Sequence, residues 1–214
     1  MPNWCYTNIT FFGEKENIES LVDKLQEART LAKDPIIQKR VSFDWEVWLG
    51  NIALVFGEQV DDLLLVDGKV TERNPQKVTI PCRGELAEYP PTRENISSFS
   101  DEKYEIELVV ESAWTATKEL FDLMAEETDT EYVFQAEEPG WNYFVNTDTE
   151  HIFYEDKYIV NSPNTEELHW EYLDSDENLL SFVEEAFGCR YTSVAEAKEK
   201  LEAKDIYIYE FLSA

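Results

Sequence analysis

The sequence predicts an α+β protein in which helices cover one face of an antiparallel sheet. Two observations predict this class. Segments in which apolar residues alternate with polar ones, the pattern of a half-buried strand, occur near the start, in the middle and at the end of the chain. Segments with apolar residues at helical spacing separate them, so that the order strand, helix, strands occurs twice.

The first predicted strand begins almost at residue 1. From Trp4 onward, Cys5, Thr7, Ile9 and Phe11 fall on one side of a period-2 pattern. Terminal residues are poorly ordered unless other groups pack on them. We therefore expect Trp4 and Cys5 to hold this strand in the core.

A helix, an extended region and a loop are predicted next. Residues 18–32 carry apolar side chains at helical spacing. Residues 41–80 are expected to be extended, because VSFDWEVWL alternates like a strand and Asp67-Gly68 is a hairpin turn between apolar flanks. Residues 84–101 contain two adjacent prolines and a polar cluster, which indicate a long surface loop.

The clearest strand lies in the middle of the chain and is followed by a second helix. The strand KYEIELVVES (103–112) has apolar residues on one face and glutamates largely on the other: Tyr104, Ile106, Leu108 and Val110, against Glu105, Glu107 and Glu111. One face of the sheet is therefore expected to lie in water. The helix has Thr117 as its candidate cap and a buried side made of Leu120, Phe121, Met124 and Ala125.

Two hairpins are predicted after this helix. The first, over residues 131–146, turns at Pro139-Gly140, the pair expected at the centre of a type II turn. The second, over residues 151–160, turns at Glu155-Asp156.

Three helices and a strand are predicted at the end of the chain. The helices cover residues 164–173, 177–188 and 193–204. Gly188 ends the second helix, and Ser193 and Glu196 have the spacing of a capping box at the start of the third. Residues 206–212 alternate as a final strand. No linker separates two cores, so a single elaborated domain over residues 1–214 is expected, with a ferredoxin-like sandwich as its simplest architecture.

The composition is strongly acidic. The 214 residues include 46 acidic and 18 basic ones, for a net charge of −28, which disfavours nucleic acid and anionic membranes as direct partners. There is no apolar run of membrane-spanning length and no signal-peptide pattern before the first strand, so a cytoplasmic protein is expected. The three cysteines are far apart and are expected to be reduced, mostly buried thiols: Cys5, Cys82 and Cys189.

Two stretches carry a resemblance to a known family. The start Met1-Pro2-Asn3-Trp4-Cys5, the sequence ESAW (111–114) before a helix, and the Glu138-Pro139-Gly140 turn resemble the YubB-like family of phage and plasmid proteins. The resemblance covers residues 1–30 and 104–150 and implies a ferredoxin-like core there and a mobile-element origin, without an established chemistry. The helical extension 163–204 and the terminal strand 205–212 match no part of that family. Family members often have proline after the tryptophan, where this chain has Thr115-Ala116-Thr117.

No catalytic, metal or cofactor motif is present. The seven glycines form neither a dinucleotide fingerprint nor a phosphate loop, and GxSxG and HExxH are absent. His151 and His169 are interpreted as structural, and adjacent acids such as Glu126-Glu127 are uninformative among 46. We therefore assign no catalytic residue, no metal ligand and no cofactor, and an enzymatic role is not favoured. The tryptophans Trp4, Trp114 and Trp141 are expected to pack the sheet against its helices.

The charge is concentrated in one third of the chain. Between Glu119 and Cys189 there are 20 acidic residues and one basic residue, Lys157. Charges this dense are expected to merge into one negative face at physiological salt, where the Debye length is about 8 Å. The leading hypothesis is a nucleic-acid mimic that binds the basic cleft of a host defence nuclease of the restriction or CRISPR type. The residues predicted to bind the partner are Glu126, Glu127, Asp129, Glu131, Glu137, Glu138, Asp148, Glu150, Glu155 and Asp156.

Three alternatives remain open at this point. The acidic surface can simply keep the protein in solution. A small-molecule or carbohydrate binding module, or an unrecognised hydrolase, would use the aromatic hairpin 132–144, with Trp114, Trp141 and Tyr143 as stacking residues. An exposed sheet edge would instead join copies of the chain into an oligomer.

Overall fold

The structure is a computed structural model that describes residues 3–41, 47–72, 80–163 and 170–213. The chain forms two compact units, Met1–Trp141 and Asn142–Ala214. Both units contain helices and strands. The expectation of a single elaborated domain stays a prediction.

The first unit contains seven strands and four α-helices among the described residues. Its strands are β1 (Trp4–Gly13), β2 (Leu63–Val66), β3 (Lys69–Glu72), β4 (Gly84–Leu86), β5 (Ser97–Ser98), β6 (Tyr104–Ala113) and β7 (Glu131–Glu138). Its helices are α1 (Lys15–Leu31), α2 (Pro35–Arg40), α3 (Leu49–Val55) and α4 (Lys118–Thr128), with 3₁₀ turns at Arg93–Asn95 and Pro139–Trp141.

Four strands of this unit pair in the order β7-β1-β6-β4, and all three pairings are antiparallel. Ile9 at the centre of β1 lies opposite Leu108 of β6 and Phe134 of β7. The helix α1 contacts β1 and β6, α4 contacts β7, and the two helices contact each other. Helices therefore lie on one face of an antiparallel sheet, and the predicted α+β class is confirmed.

The strong periodic signals of this unit are confirmed. In β1, Cys5, Thr7, Ile9 and Phe11 are all fully buried. The helices α1 and α4 bury the apolar stripes that the sequence predicted for them, and Ile106, Leu108 and Val110 of β6 are buried on the same side of the sheet. We call this side of the sheet the inner face.

The region 41–80 is only partly as predicted. The hairpin at Asp67-Gly68 is confirmed: it joins β2 to β3, and both turn residues have positive φ, at 49° and 73°. The expectation of extended structure is wrong at α3, whereas residues 42–46 and 73–79 lie outside the described residues. Nearly every residue of α3 is buried, so its sequence has no polar side to reveal a helical period.

The predicted surface loop at 84–101 is also partly wrong. Its first residues form β4, which pairs with β6. Gly84 allows this pairing, because a side chain there would collide with the backbone carbonyl oxygen of Glu111. Ser97 and Ser98 form β5, which also pairs with β6.

The second unit contains β8 (Tyr143–Asn146), β9 (Tyr158–Asn161), β10 (Trp170–Leu173), α5 (Asp176–Phe187), α6 (Val194–Glu202), β11 (Tyr207–Glu210) and β12 (Leu212–Ser213). Three strands pair antiparallel in the order β10-β9-β11, and β12 pairs parallel with β8. Helices α5 and α6 and strands β9 and β11 enclose a core of Tyr158, Val160, Leu179, Val183, Ala197, Leu201 and Ile206.

Two helices of this unit are confirmed by their ends. Gly188 ends α5 in the left-handed region, with φ of 64°. The Ser193 side chain accepts a hydrogen bond from the backbone N–H of Glu196 at the start of α6. The Glu196 carboxylate caps the N–H of Thr192, one residue earlier than a capping box requires. The final strand is confirmed but is divided into β11 and β12.

Two predictions in this unit are wrong. Residues 151–157 form no strand, so there is no hairpin at Glu155-Asp156. The predicted helix 164–173 is a strand from Trp170 onward, where β10 pairs with β9 and tertiary pairing overrides helical spacing. Residues 164–169, with His169, lie outside the described residues.

Candidate functional site

The face of the first unit's sheet opposite to α1 and α4 is crowded with glutamates. Because the strands pair in register, the residues that alternate with the buried ones form rows across the sheet. One row runs from Glu85 through Glu111 and Tyr6 to Glu137, and another runs from Glu105 through Phe12 to Glu131. We call this surface the acidic face and define it by its six glutamates: Glu85, Glu105, Glu107, Glu111, Glu131 and Glu137.

Like charges lie opposite each other on neighbouring strands of the acidic face. Lys103 lies 3.4 Å from the Glu131 carboxylate at one end of the sheet. Glu85 and Glu111 lie directly opposite each other on neighbouring strands, an arrangement of like charges that destabilises a sheet. Partial burial, and then the neighbouring Glu111 and Glu137 carboxylates, raise the pKa of Tyr6 above its ordinary value.

Exposed aromatic rings lie at one end of the acidic face. Tyr6 is 50% exposed, Trp114 is 41% exposed and Trp141 is 69% exposed. Trp114 donates its backbone N–H to the carbonyl oxygen of Asn3, which places it beside the start of β1. The guanidinium of Arg83 lies over the Trp114 ring, 5.3 Å from its centroid. The expectation that Trp114 and Trp141 pack the sheet against its helices is therefore wrong.

The turn that carries Trp141 is held by a buried carboxylate. Glu138 is only 3% exposed, and its two oxygens accept hydrogen bonds from the backbone N–H groups of Gly140 (2.9 Å) and Trp141 (2.6 Å). A type II turn would need positive φ at Gly140, but the positive φ of 54° occurs at Asn142, and Pro139–Trp141 is a 3₁₀ turn. The predicted type II turn is therefore wrong, and Glu138 fixes an exposed tryptophan.

The predicted partner-binding residues fall in both units. In the first unit, Glu131 and Glu137 lie on the acidic face, and Glu126, Glu127 and Asp129 are exposed at the end of α4. Glu127 lies 3.9 Å from Lys24. Glu138 is buried and does not belong to a binding surface.

The remaining predicted partner-binding residues belong to the second unit. Glu150 and Glu155 are exposed, whereas Asp156 is half-buried. Asp148 is only 4% exposed, and one of its oxygens accepts hydrogen bonds from the N–H groups of Phe153 and Tyr154. Like Glu138, Asp148 serves its own loop and does not belong to a binding surface.

Sequence reasoning missed most of the acidic face. Glu85, Glu105, Glu107 and Glu111 lie before the segment 119–189 that the charge count singled out. The alternation in β6 had already placed its three glutamates on the wet side of the sheet, so their position on this face could be predicted from the sequence. Only the pairing of β4 with β6 brings Glu85 beside Glu111.

Several aromatic side chains of the hairpin 132–144 pack inside the protein. Phe134 and Phe144 are buried, and Tyr132 packs against Phe121 with its hydroxyl donating to Asp122. Among the cavities lined by described residues, one lies within the second unit, and another is lined by Leu86, Glu88, Tyr89, Pro91, Glu107, Leu108 and Val109. Neither is lined by Trp114, Trp141 or Tyr143.

The cysteines differ in their surroundings. Burial raises the pKa of Cys5 and of Cys82 to about 12, which makes both thiols inert. Cys189 is partly exposed and accepts a hydrogen bond from the Lys204 ammonium at 3.2 Å, which lowers the pKa of that thiol. All three are free thiols, and the expectation of burial holds for two of them.

Within the described residues, no three His, Cys, Asp or Glu side chains are arranged to hold a metal ion. No helix in this part of the chain is long and apolar enough to cross a membrane. Comparison with protein-family models, with curated proteins and with solved structures finds no match.

Proposed function

We propose that this protein binds the basic, nucleic-acid-binding cleft of another protein through its acidic face, and so inhibits a host defence nuclease of the restriction or CRISPR type. The observation that carries the proposal is the in-register alignment of six glutamates on one face of a paired sheet. A face that served only solubility would gain stability from mixed signs, because opposite charges across strands stabilise a sheet and like charges destabilise it.

The spacing of the glutamates supports mimicry of a phosphate backbone. Alternate residues of a strand lie about 6.6 Å apart and neighbouring strands about 4.8 Å apart. Glu105 and Glu107 have the first spacing along β6, and Glu85 and Glu111 have the second across the sheet. Successive phosphates of duplex DNA supply one charge per about 1.7 Å of axis, and a cleft built to hold them is basic. Carboxylates fixed at a few ångströms on a rigid sheet can occupy such a cleft.

The exposed aromatic residues supply a second support. Tryptophan, tyrosine and arginine dominate the energetics of protein interfaces. Trp141 is presented by a turn that Glu138 fixes, and Trp114 is stacked on Arg83. Both rings lie in the unit that carries the acidic face, and both suit contact with arginine or lysine side chains of a basic partner.

Two further proposals concern the fold of the first unit and the origin of the protein. We propose a ferredoxin-like arrangement for the first unit, supported by its strand order β7-β1-β6-β4 with one helix after β1 and another after β6. We also propose, from the Met1–Cys5 start, that the protein is related to the YubB-like proteins and therefore originates from a mobile element. A cytoplasmic location follows from the proposed targets.

The test is inhibition of DNA cleavage by purified restriction endonucleases and CRISPR effector nucleases. We expect inhibition that competes with DNA and weakens steeply as salt rises, because screening acts on exposed charges. The quadruple variant Glu105→Gln, Glu107→Gln, Glu111→Gln and Glu131→Gln should weaken inhibition about tenfold or more.

The matched control removes four exposed glutamates from the helices of the second unit: Glu177→Gln, Glu184→Gln, Glu185→Gln and Glu202→Gln. It changes the net charge by the same amount and should leave inhibition within about twofold of the wild type. Equal losses in the two variants would mean that bulk charge, not the acidic face, is responsible. Absence of inhibition across the panel, or binding that ignores salt, would refute the mimic.

A further inference from the structure

The second unit contains a cavity of about 300 Å³, which is within the range of small-molecule sites. It lies between the loop that follows β8 and the strand end that joins β11 to β12. Its lining consists of Asn146, Asp148, His151, Asp156, Lys157, Glu210, Phe211, Leu212 and Ser213. All of these residues belong to Asn142–Ala214, so the cavity is independent of the acidic face.

The cavity contains a buried carboxylate with one free oxygen. Asp148 Oδ2 accepts hydrogen bonds from the backbone N–H groups of Phe153 (2.6 Å) and Tyr154 (3.0 Å). Asn146 supports this arrangement by accepting from the N–H of Asp148 and donating to the carbonyl oxygen of Tyr154. Asp148 Oδ1 accepts no hydrogen bond from any described residue. A carboxylate that is 96% buried therefore keeps one acceptor oxygen for the cavity that it lines.

The other polar groups of the lining are mostly acceptors. The Nδ1 atom of His151 lies 3.1 Å from the carbonyl oxygen of Tyr154, so it carries the ring proton and leaves Nε2 as an acceptor in the neutral ring. Asp156 and Glu210 add carboxylates, of which Glu210 accepts from Lys198 at 2.8 Å. The one ammonium of the lining, on Lys157, donates to Asp176 at 2.7 Å.

Asp156 of the lining lies near two carboxylates that do not line the cavity. Burial, and then the neighbouring Asp174 and Glu155 carboxylates, raise the pKa of Asp156. A cation bound beside Asp156 would reduce the electrostatic repulsion between these carboxylates. Phe211 and Leu212 supply the apolar part of the wall, against which a short alkyl chain can pack.

We propose that this cavity binds the primary ammonium or guanidinium group of an organic cation that carries a short alkyl chain. Such a group brings several N–H donors and no acceptor, which matches a lining of acceptors. An anion would meet three carboxylates there. A divalent metal ion is a poor fit, since no three ligating side chains among the described residues converge on one point. The cation can be a free amine or the side chain of an arginine or lysine in a protein segment.

The test is isothermal titration calorimetry of the full-length protein with agmatine, putrescine and n-butanol. We expect the two amines to bind and the neutral alcohol, which has the same four-carbon chain as putrescine, to show no binding. The Asp148→Asn variant should weaken agmatine binding about tenfold or more. Because Asp148 also holds its own loop, Asp156→Asn provides a second variant, expected to weaken binding several-fold in a folded protein.

The matched control is Glu150→Gln, which removes a nearby exposed carboxylate that does not line the cavity. It should bind agmatine within about twofold of the wild type. An arginine-containing peptide titrated in parallel distinguishes the two sources, since binding of the peptide but not of agmatine assigns the cavity to a protein segment. Failure of both amines and of the peptide to bind at about 10 mM would overturn the proposal. An equal loss of agmatine binding in Glu150→Gln and Asp156→Asn would also overturn it.

Discussion

The two faces of the first unit's sheet are built from the same strands but differ in burial and in charge. On the inner face, Cys5, Ile9 and Phe11 are fully buried beneath the helices. On the acidic face, Tyr6 and Phe12 alternate with them and lie beside Glu111 and Glu105. The inner face explains why the sheet folds, because burial of apolar surface drives folding. The acidic face contributes less in this way, because Phe12 is only half-buried there, and its clustered like charges oppose the folded state.

This difference separates residues of the inner face, which stabilise the fold, from glutamates of the acidic face, which do not. A protein can place any mixture of polar residues on a wet face, and a mixture of signs would be more stable than six glutamates. Each pair of like charges on neighbouring strands lowers the stability of the folded state by about 0.2–1 kcal/mol, and such pairs recur across the acidic face. The repetition of a feature that costs stability supports the proposal that the acidic face binds a partner.

The largest contrast should appear between neighbouring phenylalanines of β1. We expect Phe11→Ala to lower the free energy of unfolding by about 3–5 kcal/mol, because it leaves a cavity in the core. Phe12→Ala should cost less than half as much, since Phe12 is half-buried on the other face. Urea unfolding followed by circular dichroism measures both values. Equal losses would mean that the acidic face is as tightly packed as the inner face.

A second contrast lies between neighbouring glutamates of β7. Glu138→Gln replaces one of two acceptor oxygens with an NH₂ group that faces a backbone N–H, so we expect a loss of about 1–3 kcal/mol in the free energy of unfolding. Glu137→Gln, one residue earlier on the acidic face, should cost less, because Glu137 is half-buried whereas Glu138 is only 3% exposed. The same denaturation experiment compares them. If Glu137→Gln is the more damaging change, the division between a structural and a surface glutamate is wrong.

The sequence predicted the parts of the fold in which one side of an element is wet. Period-2 alternation located β1 and β6, and helical spacing located α1, α4 and α5, because each of these elements has one apolar and one polar side. The same reasoning failed for α3, which is buried nearly all round, and for β10, where pairing with β9 decides the conformation.

The acidic face was only partly predictable for a related reason. Counting charge along the chain found Glu131 and Glu137, but it also included Glu138 and Asp148, whose carboxylates cap backbone N–H groups of their own loops. Burial of a charged side chain depends on such local partners, which composition does not reveal. Glu85 joins the face only through the pairing of β4 with β6.

The smallest expected effect is a pH dependence that reports the charge of the acidic face. Burial and the Glu111 and Glu137 carboxylates raise the pKa of Tyr6 above 10.0. Unfolded Tyr6 then loses its proton at a lower pH than folded Tyr6. The stability that this difference contributes is fully present below pH 10 and is lost as the pH rises through the folded pKa. Ultraviolet titration of tyrosinate in the wild type, minus that in Tyr6→Phe, isolates this residue.

The same titration in two variants tests whether the acidic face causes the shift. Glu111→Gln removes the nearest charge opposite Tyr6, so the pKa of Tyr6 should fall toward 10.0. Glu119→Gln removes an exposed charge from the first turn of α4, on the helix side of the sheet, and should leave that pKa where it is. Water screens charges on an exposed surface, so a pKa of Tyr6 that responds to Glu111→Gln but not to Glu119→Gln means that neighbouring strands hold Tyr6 and Glu111 close together. An unchanged pKa in Glu111→Gln would mean that the glutamates act independently, and the alignment on which the proposed mimicry depends would have no electrostatic consequence.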